Sequence, residues 1–183
     1  NPALNHFWYA PAGITVLTPN TTRSPFNDDK FREAYSQGLN KTEMSEKATY
    51  GVMKPASQTS LKLPYAKDLM PAEYADKDTV LPFDIDKANQ MFDAAGYTVG
   101  ADGMRTNKDG SPLQIGVDVQ AGWIDYESTI EVVVRNLRSM KLDAKVIKSA
   151  PDNVDAKKKA GEFQMMLEYL HGGCQVARNL GSK

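Results

Sequence analysis

The residue types that most often carry catalysis are thinly spread in this 183-residue sequence. Its two histidines, His6 and His171, lie at opposite ends, and no Gly-x-Ser-x-Gly turn accompanies either. A Ser-His-Asp hydrolase needs its base within hydrogen-bond reach of a serine held on a strained turn, and neither cue is present. Asn107-Lys108-Asp109-Gly110 resembles the first half of a calcium loop. The next residues, Ser111, Pro112, Leu113, Gln114, Ile115 and Gly116, bring no bidentate glutamate, so a hairpin turn is the better reading. Gly172-Gly173 lacks both a Walker lysine and a following apolar helix. Cys174 is the single cysteine, which excludes an intrachain disulfide and a cysteine metal cluster. No metal and no cofactor is expected.

Aromatic residues in loops point further. Trp123 follows the alternating run Leu113–Val119 and precedes a helical stretch, the edge where open α/β sheets place their ligands. A flat, rigid ring there can stack on a sugar or cover an apolar group. The other reading is a tryptophan that plugs the end of the sheet. His171 follows the last apolar run in the same way, beside glycines that allow close backbone approach, and it is read either as a ligand contact or as a satisfied structural histidine. Asp125 and Glu127, the carboxylates closest to Trp123, read as first-turn helix residues rather than an acid/base pair.

The elements that must position these residues follow from periodicity. Ile14–Leu17 is apolar and β-branched, as a buried strand is. A helix is expected after it, with Asn27 as cap, Asp28 and Asp29 in the first turn, Phe26 and Phe31 as a hydrophobic staple, and Phe31, Ala34, Tyr35 and Leu39 on one face. Asn40 and Glu43 have capping-box spacing for a second helix ending near Gly51. Residues 52–83 lose periodicity and carry Pro55, Pro64, Pro71 and Pro82, a long loop.

Helical spacing returns at Asp84, with Ala88, Met91, Phe92 and Ala95 on one face and Gly96 as the stop. Asp102-Gly103 and Asp109-Gly110 bracket a small hairpin. A strand over Leu113–Val119, a helix with Tyr126, Ile130, Val133, Val134 and Leu137 on its stripe, a strand around Ala144 and Val146, a polar helix over Pro151–Ala160 and a last strand over Phe163–Tyr169 complete the order. Alternating strands and helices imply an α/β sheet with right-handed crossovers, largely parallel in this part.

A composition of 41% hydrophobic and 25% charged residues suits one soluble globular core. The formal net charge of -1 gives no basic footprint for nucleic acid or an anionic membrane. No apolar run reaches the length of a membrane span, and the N-terminus, which starts at Asn1, lacks a signal-peptide pattern, so a fragment or processed product is expected.

Five segments, taken together, resemble the family 5 extracellular solute-binding proteins of ABC importers, the dipeptide, oligopeptide and nickel group. They are PFNDDKFREAYSQGLNK (25–41), FDIDKANQMFDAAGY (83–97), GADGMRTNKDGSPLQI (100–115), VVVRNLRSMKLDAKV (132–146) and GEFQMMLEY (161–169), in the family's order. Lys141 stands where the family usually has Gly, and Gln164 where it has Asp.

The resemblance implies one lobe, the second, of a periplasmic-binding-protein-like type II fold: α/β, a mixed sheet flanked by helices. Residues 1–12 and 172–183 would be severed crossings to the other lobe. It implies a non-enzymatic, monomeric protein that captures an oligopeptide or oligosaccharide between its lobes and delivers it to permease subunits in the membrane. The location implied is extracytoplasmic, in the periplasm or on a cell-surface lipoprotein, with the signal segment outside this chain. Trp123, Tyr169, His171 and Gly172 are the expected ligand contacts. Peptide-binding members carry a carboxylate after the last strand for the peptide's ammonium group. Here that run is Leu170, His171, Gly172, Gly173 and Cys174, which makes a neutral oligosaccharide a rival to peptide. An enzyme or sensor on the same lobe and a purely structural domain are the alternatives, the last favoured if Trp123 and His171 are buried.

Overall fold

A computed structural model describes residues 13–61, 67–75 and 78–171. Strands β1 (Gly13–Pro19), β2 (Gln114–Gln120), β3 (Asp143–Ser149) and β4 (Met165–His171) form one sheet in the order β1-β4-β2-β3. β2 runs parallel to β3 and to β4, while β1 is antiparallel to β4. The largely parallel part expected from the alternation is β2, β3 and β4, and the antiparallel β1 makes the whole sheet mixed, as the resemblance implies. The last strand lies two residues later than the sequence pattern places it.

The sheet is not uniformly zipped. β2 and β3 pair along their whole length, from Gln114↔Asp143 to Gln120↔Ser149, and β1 and β4 do the same, from Pro19↔Met165 to Gly13↔His171. Between the two pairs, β2 and β4 meet only at Val117↔Met165 and Asp118↔Met166. Beyond Met166 the sheet forks, and the gap opens at the edge where β2, β3 and β4 end.

Side-chain alternation assigns the faces. Ile115, Val117 and Val119 of β2 are fully buried, in one core with Ile130, Val133, Val134 and Leu137 of α4 (Ile124–Ser139). The opposite face carries Gly116 and Asp118, over which lies α5 (Pro151–Ala160), a helix with no buried residue, Pro at its first position and a left-handed Gly161 at its end. Lys157 of α5 reaches the buried Asp118 carboxylate at 2.6 Å and the Ser149 hydroxyl at 3.1 Å, so the charge beneath this polar helix is paired.

The remaining helices are α1 (Asp29–Gln37), α2 (Lys41–Thr49) and α3 (Ile85–Ala94). Asn40 caps α2 by accepting the Glu43 N–H, as the capping-box spacing requires. The cap of α1 is Asp28, which accepts the Lys30 N–H, and not Asn27. Asp28 also accepts from the Tyr97 hydroxyl at 2.9 Å and pairs with Lys108 at 2.6 Å, bonds the local pattern does not show. Phe26 and Phe31 meet edge-on at 5.4 Å, and Phe31 continues to Phe92 at 5.1 Å and Tyr97 at 4.8 Å, joining α1 to α3. The expected hairpin after α3 is reduced to two isolated bridges, Val99↔Arg105 and Thr106↔Pro112. Within 52–83 the described residues form only two short 3-10 turns, Lys67–Leu69 and Ala72–Tyr74.

Gly38 ends α1 against the floor of this core. A Cβ there would stand 2.2 Å from Sδ of the fully buried Met140, while its φ of -93° is open to any residue, so a larger residue must push the Met140 side chain aside within the core. Gly38→Ala is expected to cost about 1–3 kcal/mol in chemical denaturation, the usual range for overpacking. In a Met140→Ala background the same change should cost less than about 0.5 kcal/mol, since the clash is gone.

Candidate functional site

Trp123 occupies the position before α4 where a hydroxyl or carboxylate side chain usually caps the helix, and its indole makes no such bond. Glu127 instead ties down the turn that precedes the helix: Oε1 accepts the Gly122 N–H at 2.9 Å and Oε2 accepts from the Lys148 ammonium at 2.7 Å. Lys148 first, then the Gly122 N–H, hold the Glu127 carboxyl below its ordinary range. Glu127 is thus committed to the turn and does not form an acid/base pair with Asp125.

The indole turns outward. Trp123 is 47% exposed, and it packs edge-on against Tyr126 with ring centroids 4.9 Å apart. Trp123 is therefore not buried as a tryptophan plugging the sheet would be.

Beside this pair, the fork between β2 and β4 forms a depression of about 570 Å³. Gln120 lines one side and Thr15 and Tyr169 the other, with Trp123 just before α4, Tyr126 from α4 and Asp155 from α5. Thr15 and Tyr169 are directly opposed on β1 and β4. Glu168 also lines the wall, but its carboxylate is engaged by the Thr18 hydroxyl at 2.6 Å and by Lys158.

Of the expected contacts, the structure brings Trp123 and Tyr169 to one depression. His171 ends β4 at the same edge, opposite Gly13, with its side chain outside the described residues, and Gly172 lies outside them altogether. The severed crossings assigned to 1–12 and 172–183 likewise lie outside. Tyr126, Gln120 and Thr15 join the lining without being expected there from sequence. Tyr126 reads in sequence as the first member of the α4 core stripe, and only its spacing of three from Trp123 hints that the two rings meet.

A second hollow, of about 440 Å³, lies at the opposite edge of the sheet around Asp28, Tyr97 and Lys108. These groups satisfy one another, and Lys108 and Tyr97 between them hold the Asp28 carboxyl below its usual range against the opposing effect of burial. It reads as a structural joint. Among the described residues no cluster of His, Cys, Asp and Glu is placed to hold a metal ion, and no helix is long and apolar enough to cross a membrane.

Residues 1–177 match the family described as bacterial extracellular solute-binding proteins, family 5 Middle. The chain belongs to this family. The nickel-binding periplasmic protein of Escherichia coli K12 is 26% identical over 174 residues, covering 94% of this chain and 32% of that protein. Among solved structures, the mannohexaose-bound periplasmic oligopeptide-binding protein of Thermotoga maritima superposes with a TM-score of 0.78 at 21% identity, over 87% of this chain and 30% of its own. NikA of Brucella suis, in complex with Fe(III)-EDTA, gives 0.71 at 25% identity, over 93% of this chain and 33% of its own. This family 5 chain thus spans about a third of each relative.

Proposed function

We propose that this chain is the second lobe of an extracytoplasmic solute-binding protein, which closes on its solute, presents it to an ABC-type permease and catalyses no reaction. The observation that carries the reading is the half-exposed Trp123 ring, held against Tyr126 at the mouth of the depression where the sheet forks. Open α/β sheets receive ligands at this carboxyl edge. A neutral oligosaccharide suits the lining best, because Trp123 and Tyr169 offer ring faces and Gln120 and Thr15 offer uncharged polar groups. Peptide is the second reading, favoured by Asp125 and Asp155, which line the same depression and supply a counter-charge for an ammonium group. Among the relatives, the Thermotoga maritima protein is described both as oligopeptide-binding and as mannohexaose-bound.

Calorimetric titration of the intact protein with mannohexaose and with a tripeptide tests this. The oligosaccharide should bind at least as well as the peptide, and Trp123→Ala should weaken it by about 1–3 kcal/mol with little change in Tm, as loss of an aromatic anchor does. Tight peptide binding that disappears on N-acetylation would favour the ammonium reading. A large fall in Tm with unchanged binding would make Trp123 a structural plug.

A further inference from the structure

Tyr126 is 5% exposed, and its hydroxyl, shut off from water, has no hydrogen-bond partner among the described residues. Buried hydroxyls are nearly always paired, and leaving one unpaired costs about 1–3 kcal/mol. Burial pushes its pKa up to about 12, so the phenol keeps its proton. The phenol proton therefore has no acceptor among the described residues, although Thr15 lines the same depression. Asp125 and Asp155 line the same depression, where Lys158 and Glu168 pair with each other. A ligand carboxylate or phosphate there would meet like charge.

Resting on the proposed ligand edge, we propose that Tyr126 is a specificity-determining residue whose hydroxyl donates to an uncharged oxygen of the solute, a hydroxyl, ether or carbonyl, and discriminates against an anionic group. Trp123, edge-on against the same ring and half exposed, is the member of the pair a solute meets first. The two divide the work: Trp123 supplies contact area, and Tyr126 reads one polar atom beneath it.

Tyr126→Phe in the intact protein separates this from a packing role. Mannohexaose and an N-acetylated, C-amidated trialanine serve as uncharged probes, with Trp123→Ala measured in parallel. For whichever probe the unaltered protein binds, Tyr126→Phe should lower affinity about 3–10-fold, the scale of one neutral hydrogen bond. Tm should stay level or rise, because the change removes an unpaired buried hydroxyl without leaving a cavity. Unchanged affinity in Tyr126→Phe while Trp123→Ala weakens binding would overturn the assignment and leave the ligand edge standing. A Tm several degrees lower with unchanged affinity would also overturn it, since the hydroxyl would then be bonded within the fold. If neither probe binds, or neither variant affects binding, the ligand edge itself fails and the assignment with it.

Discussion

Replacing Arg105 with alanine is expected to lower the stability of the chain by at least about 2 kcal/mol, because the buried Met140 and Tyr97 carbonyls lose their donor at about 1–3 kcal/mol each and the part-buried Asn89 carbonyl loses one as well. The guanidinium is 2% exposed at the centre of the joint between α3, the 97–106 turn and the end of α4. Nε donates to the Met140 carbonyl at 2.9 Å, while Nη1 donates to the Asp93 carboxylate at 2.6 Å and to the Tyr97 carbonyl. Nη2 reaches the Asn89 carbonyl at 3.1 Å and its side-chain oxygen at 2.8 Å, and the Phe92 ring lies 5.0 Å from the guanidinium carbon. Only a planar fork of five N–H donors serves this many acceptors at once.

The Asp93 partner is itself well exposed, so it rehydrates in the variant and contributes little to the loss. The cost comes from the orphaned carbonyls and the space left beside Phe92. Arg105→Lys keeps the charge but cannot span the acceptors, and should recover less than half of the loss. Against a typical total stability of about 5–15 kcal/mol, the alanine variant should unfold at markedly lower urea. A loss below about 1 kcal/mol would mean that the joint repacks around water.

Arg105 also marks where sequence reasoning stops. In the string Asp102-Gly103-Met104-Arg105 it looks like a surface residue of a hairpin, since nothing local announces carbonyls from residues as distant as Asn89 and Met140. The α4 stripe, the alternation of β2 and the Asn40 cap were legible because each depends on neighbours within a turn or a strand. The Asn27 expectation failed for the opposite reason: Asp28 is drawn into the cap by a place it shares with Tyr97 and Lys108, far along the chain. The fork is of the same kind. Each strand was readable by itself, but the fact that β2 and β4 share only two residue pairs is a property of register between distant segments. Trp123 could be placed at the sheet edge from its position between strand and helix. Tyr126 could not be told from core, because a buried hydroxyl without a partner is visible only once its surroundings are in place.

Removing the rest of a two-lobed protein is expected to weaken solute binding at least about a hundredfold, on the order of 3 kcal/mol. The depression beside Trp123 is open on one side, and a hinge-closing binder obtains the other half of its contacts and its exclusion of water from the facing lobe. Binding must first offset a loss of translational and rotational freedom of roughly 4 kcal/mol or more, so losing half the contacts removes more than half of the net affinity. The chain should still fold alone, since the core shared by α1, α3, α4 and the sheet lies within it. The measurement that tests this most directly is calorimetric titration of one solute against residues 1–183 and against the intact protein under the same conditions. A folded chain that binds at least about a hundredfold more weakly is the predicted result, and equal affinities would contradict the two-lobed account by showing that the whole site lies in this chain.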